Sequence, residues 1–159
     1  MDKLLLDTTY LLPIFGVRVK LKDYEAFFPR LLTEYTVMYN PISIVESKWI
    51  VIKLCKRYPS KKSLLLKTYR LGLTALLNST QLKQTALTSP EVEEIADKLL
   101  SEAELKDYFD RIIYATAVLQ KSILLTEDKE LEKIVQTNIP KPKKVMSWNN
   151  VIRSMGSSV

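Results

Sequence analysis

The sequence predicts an α/β fold, a three-layer α/β/α sandwich built on a central, mainly parallel sheet. Short apolar runs such as Leu4-Leu5-Leu6 and Ile123-Leu124-Leu125 show no polar alternation, as expected of strands covered on both faces. Stretches with apolar residues at helical spacing lie between them, the order that βαβ units produce. Several of the runs also end at an acidic residue, and open parallel sheets place their functional crevice beyond the carboxyl ends of the strands.

Taken in order, Leu4–Leu6 is the first strand, ending at Asp7-Thr8-Thr9. A helical stretch over residues 9–15 follows, limited by Pro13 and Gly16, then a helix from Lys22 to about Tyr35. Pro41-Ile42-Ser43-Ile44-Val45 reads as the next strand, ending at Glu46, with a helix from Glu46 to about Arg57 stopped by Pro59. Another helix spans Ser60 to about Leu77, and a brief strand is expected near residues 85–87. Thr88-Ser89-Pro90-Glu91 has the marks of a helix start, a hydroxyl cap on Thr88 with a glutamate three residues on, and that helix should reach about Ser101. The next runs from about Leu105 to Gln120. A strand over 122–126, a short helix over 128–135, an edge strand over 144–147 and a terminal helix near 149–154 complete the chain. Residues 1–155 are expected to form a single domain and residues 156–159 a frayed tail.

At 159 residues the chain fits one core. A hydrophobic share of 47% and a charged share of 26% suit a soluble globular protein rather than a membrane or disordered one. No apolar run approaches the ~20 residues that span a bilayer, and the N-terminus has no signal-peptide pattern, so a cytoplasmic location is expected. Cys55 stands alone, which excludes an intramolecular disulfide and a Cys-based zinc site. Its apolar neighbours mark it as a buried thiol. With no histidine, Ser-His and Cys-His catalysis and every His-liganded metal site fall away. A hydrolase built on this chain must use carboxylates.

Charge is segregated. Between Ser47 and Pro90 there is no acid, while Lys53, Lys56, Arg57, Lys61 and Lys62 cluster there with further cations; Glu91 to Asp110 is strongly acidic. This suits a polyanion-binding arm beside a cation-binding site, against the plainer reading of two solvated helix faces. The cationic group is therefore the candidate phosphate-backbone contact.

The acids at element ends, Asp7, Glu46 and the Glu127-Asp128 pair, gather at one rim in such a topology, and Asp110 can join them from its helix. Each alone has an ordinary reading: Asp7 as an Asx-turn, Glu46 at the positive end of its helix, Asp110 paired with Lys106, Asp128 as an N-cap. Together they would repel unless a cation neutralised them. An all-oxygen donor set favours the hard ions Mg²⁺ or Mn²⁺ and phosphoryl chemistry. Asp7, Glu46, Asp110 and Asp128 are the catalytic candidates, with Asp7, Asp110 and Asp128 as metal ligands and Thr8 and Thr126 as supporting hydroxyls.

Leu-Leu-Asp-Thr-Thr-Tyr-Leu-Leu, Ile-Ser-Ile-Val-Glu-Ser, Asp-Arg-Ile-Ile-Tyr-Ala-Thr-Ala and Leu-Leu-Thr-Glu-Asp, in that order, resemble the motifs of PIN-domain nucleases of the VapC toxin type. The resemblance implies a metal-dependent endoribonuclease with Asp7, Glu46, Asp110 and Asp128 at the acidic positions. It further implies cleavage of single-stranded RNA by metal-activated water, a homodimer, and a small antitoxin partner. Two alternatives stay open: a non-catalytic PIN-like module that binds RNA or protein, and a housekeeping RNA-processing nuclease.

Overall fold

The computed structural model describes residues 1–134 and 136–156. Five parallel strands form one sheet in the order β3-β2-β1-β4-β5: β1 (Lys3–Leu6), β2 (Thr36–Tyr39), β3 (Leu82–Gln84), β4 (Ile123–Leu125) and β5 (Lys144–Met146). The unbroken leucine run is explained by burial on both faces. Leu4 and Leu6 point into one core and Leu5 into the other, all fully buried.

Helices α1 (Tyr24–Glu34), α2 (Ile42–Arg57), α3 (Lys62–Leu77) and α7 (Trp148–Gly156) close the first core through Leu31, Val51, Cys55, Tyr69, Leu76 and Trp148. Helices α4 (Pro90–Ala103), α5 (Tyr108–Leu119) and α6 (Lys129–Ile134) close the second through Leu99, Ile113, Ala115 and Leu131. The three-layer α/β/α sandwich expected from the sequence is therefore present. The strand order reverses between β1 and β4, so a topological switch point opens at their carboxyl ends.

Several elements differ from the sequence reading. Residues 42–45 are the first turn of α2 and not a strand; the strand lies earlier, at Thr36–Tyr39. Ile42 and Ser43 are buried, Ile44 is half-buried and Val45 is exposed, a helical order of environments that no alternating strand would give. The third strand is Leu82–Gln84, upstream of residues 85–87. The α4 cap is Ser89, whose hydroxyl accepts from the Val92 N–H at 3.2 Å, while Thr88 donates to Glu93 instead. Residues 9–15 form two short 3-10 turns, Thr8–Tyr10 and Leu12–Phe15, in place of one helix. Gly156 belongs to α7; residues 157–159 of the expected tail, and Val135, lie outside the described residues.

The turn Leu12–Phe15 fixes where α3 crosses. A Cβ placed on Gly72 would sit 2.2 Å from the Ile14 carbonyl oxygen, so this helix meets that backbone directly. No helix of the described residues is long and apolar enough to cross a membrane.

Candidate active site

Asp7 leaves β1 at the switch point, and its backbone N–H donates to the Leu125 carbonyl of β4 at 3.0 Å. Its side chain is only 8% exposed. It accepts from the Thr8 N–H at 2.7 Å and from the Thr126 hydroxyl at 2.6 Å. Burial outweighs these donors and raises the carboxyl above the ordinary aspartate range.

Thr126 is a bridge. Fully buried, it donates to Asp7 Oδ2 and accepts from the Asp128 N–H at 3.0 Å, which ties the ends of β1 and β4 together. Asp128 then accepts from the Glu130 N–H at 2.8 Å. The N-cap role read from the sequence is therefore real. It also leaves Asp128 within electrostatic reach of Asp7 and Asp110.

Glu46 enters from α2 rather than from a strand end, half-buried on the fifth residue of the helix. Burial raises its pKa. Thr8, on the turn after Asp7, lies beside it; its hydroxyl donates to Ser43 Oγ at 2.9 Å and its position near Glu46 counters part of that rise.

Asp110 lies in the first turn of α5. Burial first, then the charges of Asp7, Asp107, Asp128 and Glu46, push its carboxyl up to about 8. The plainer alternative, a pairing with Lys106, is not among the ion pairs of the described residues. Ala115, Thr116 and Ala117 are buried and bring α5 close to the sheet.

Asp107, not among the site candidates read from the sequence, is exposed and caps α5 by accepting from the Asp110 N–H at 3.3 Å. One carboxylate oxygen from each of Glu46, Asp107 and Asp110 lies within 4.8 Å of the others. The available signal was its position three residues before Asp110, which puts both on one helix face.

A second residue missed from sequence is Asn40. Fully buried after β2, it accepts from the Ile42 N–H at 2.8 Å, and its Nδ2 reaches the Ala86 and Leu87 carbonyls and the Thr116 hydroxyl. It thereby fixes the start of α2, which carries Glu46, against α5, which carries Asp110.

The structure thus gathers Asp7, Glu46, Asp110 and Asp128 at one rim, with Glu46, Asp107 and Asp110 forming the tightest group. The donor set is carboxylate oxygen alone; burial first, and then the neighbouring acids, raise Asp7, Glu46 and Asp110, with Lys53 opposing the rise at Glu46. These residues fit a hard divalent ion. Outside the cleft, Lys53, Lys56, Arg57, Lys61 and Lys62 are all exposed at the far end of α2 and the start of α3.

An acidic cluster at the switch point of a parallel sheet is consistent with a metal-dependent nuclease active site. The PIN-domain family profile matches residues 4–136, and the chain belongs to the PIN-domain family. No curated protein matches the sequence. Among solved structures, a chain of VapBC2 from Rickettsia felis bound to a promoter DNA fragment is 18% identical with a TM-score of 0.62, covering 92% of this chain and 98% of that one. A chain of a toxin-antitoxin complex from Klebsiella pneumoniae is 20% identical with a TM-score of 0.55, covering 89% and 95%. A chain of FitAB bound to the IR36 DNA fragment is 16% identical with a TM-score of 0.54, covering 91% and 94%. At these identities the likeness is one of fold.

Proposed function

We propose that the protein is a Mg²⁺- or Mn²⁺-dependent endoribonuclease that cuts single-stranded RNA and serves as the toxin of a toxin-antitoxin pair. The observation that carries the nuclease reading is the approach of Glu46, Asp107 and Asp110 oxygens to within 4.8 Å, beside Asp7 and Asp128, in a PIN domain. Asp7, Asp110 and Asp128 are the ligand candidates from sequence, and the geometry adds Glu46 and Asp107. A bound divalent ion supplies Lewis-acid polarisation of the phosphoryl oxygen and a water acidic enough to be used as nucleophile at neutral pH.

The chain's own residues do the rest. Thr126 holds the Asp7 carboxylate and the Asp128 backbone in register. Asn40 sets α2 against α5. Lys53, Lys56, Arg57, Lys61 and Lys62 hold the phosphate backbone. The toxin assignment and the antitoxin partner are supported by the family resemblance and by the toxin-antitoxin complex from Klebsiella pneumoniae among the structural neighbours. The homodimer and the cytoplasmic location remain proposals from the family resemblance and the composition.

Incubation with mixed single-stranded RNA and DNA, in Mg²⁺, Mn²⁺ or EDTA, tests the reading. RNA cleavage should require the ion. Full cleavage in EDTA by metal-free protein, or none in any condition, refutes it.

A further inference from the structure

We propose that the exposed face of α2 is a track for single-stranded RNA, on which the Trp49 indole stacks a base between the acidic cleft and the cationic helix end. The inference rests on the nuclease reading and adds to it the residue that engages bases. Helical spacing places Glu46, Trp49, Lys53, Lys56 and Arg57 along one face. The opposite face, through Ser47, Val51 and Cys55, is buried.

Trp49 is 57% exposed, whereas Trp148, the other tryptophan of the chain, is 1% exposed and belongs to the core. Trp49 thus keeps more than half of its surface in water, on the helix face that also carries Glu46. Past Lys53, the track ends at Tyr58, 44% exposed, with the Arg57 guanidinium 5.5 Å and the Lys61 ammonium 5.8 Å from its ring centre. At 1.5 Å rise per residue, Glu46 to Tyr58 spans ~18 Å.

Aromatic rings interleaved with cations are what a single strand requires. The cations follow the backbone, and the rings stack bases with little regard to sequence. Bases inside a duplex are stacked on one another and out of reach, so the surface selects unpaired RNA. Charge favours this occupant over a protein surface. Covering Trp49 with an apolar partner or a second copy would also desolvate Lys53, Lys56 and Arg57, with only Glu46 opposing them on that face.

Trp49 is also the built-in reporter, because Trp148 is shielded. Metal-free protein in EDTA is titrated with oligoadenylate, with duplex RNA and with heparin while tryptophan emission is followed. Oligoadenylate should quench the emission, and heparin and duplex should bind without quenching it. Trp49→Ala should weaken oligoadenylate binding about 5- to 150-fold, the effect of one stacked base, and leave heparin binding unchanged; Trp49→Phe should restore most of the loss. Absence of quenching, or equal oligoadenylate affinity for wild type and Trp49→Ala, overturns the track. So does a wild-type dimer that Trp49→Ala dissociates in sedimentation with RNA affinity intact, which assigns the face to a second copy. These readouts involve no turnover. Failure of the track with Mn²⁺-dependent cleavage intact leaves the nuclease reading standing, and quenching by a protein that cleaves nothing refutes only that reading.

Discussion

Asp110→Asn replaces a carboxyl, charged only above its raised pKa, with a neutral amide of the same size and shape. The folded, metal-free protein holds the Asp110 proton up to about pH 8, whereas an unfolded aspartate loses it near ~3.9. Unfolding therefore releases a proton between these values, and stability falls as pH rises across that window. Four pK units at about 1.4 kcal/mol each would set a ceiling of roughly 5–6 kcal/mol. Asp110 is only half-buried and shares its field with neighbouring acids, so solvent screening reduces this to about 1–2 kcal/mol. Asparagine carries no such proton. In EDTA, the variant should match or exceed the wild-type Tm, and its advantage should widen from about pH 5 to about pH 8.5, reaching roughly 2–8 °C for a domain of this size. Mn²⁺ at 100 times its Kd should raise wild-type stability by about 2.7 kcal/mol, and the variant's much less. Thermal melts at both pH values, with EDTA and with Mn²⁺, give the answer. A variant that melts lower, a difference that ignores pH, or equal Mn²⁺ shifts would refute the electrostatic account of the cleft.

Three further outcomes are expected. Asp107→Asn keeps a good helix cap, so the metal-free Tm should stay within about 1 °C, the shift that a few tenths of a kcal/mol gives, while the Mn²⁺-induced shift shrinks; an unaltered shift removes Asp107 from the ligand set. Thr126→Val leaves the buried Asp7 carboxylate without its hydroxyl donor and should cost about 1–3 kcal/mol in urea unfolding, with Thr126→Ser recovering most of it; a Thr126→Ser variant no better than Thr126→Val would show that the methyl, not the hydroxyl, matters. Neutralising Lys53, Lys56 and Arg57 together should flatten the dependence of RNA affinity on log salt by a slope of up to about 2 for a single strand, and an unchanged slope would return these residues to a solvated face.

The parts of the fold that were legible are those where local pattern and final environment agree. Leu4–Leu6 and Ile123–Leu125 are buried on both faces, so a continuous apolar run identified them. The α5 face was legible because Ile112, Ile113 and Thr116 keep helical spacing. Residues 42–45 misled because three of the four are Ile or Val, residues with strand preference. Tertiary packing prevailed: Ser43, Ser47, Val51 and Cys55 recur every four residues and all are buried, a helical signature that begins inside the supposed strand. Glu46 was found for the wrong local reason and placed correctly at the rim, because a helix starting at the end of β2 projects its first turns over the same crevice. Asn40 was not legible, since a buried amide carries no pattern of its own until distant segments close on it, and Asp107 offered only its spacing from Asp110.

Asn40 has a consequence for how the site is prepared. An amide neither titrates nor takes a place among the carboxylates, yet this one holds the start of α2, the 86–87 segment and α5 at a common point. The helices that carry Glu46 and Asp110 thus share one anchor that cannot ionise. A change at Asn40 would therefore disturb both helices at once, although the residue itself contributes no charge to the acidic rim.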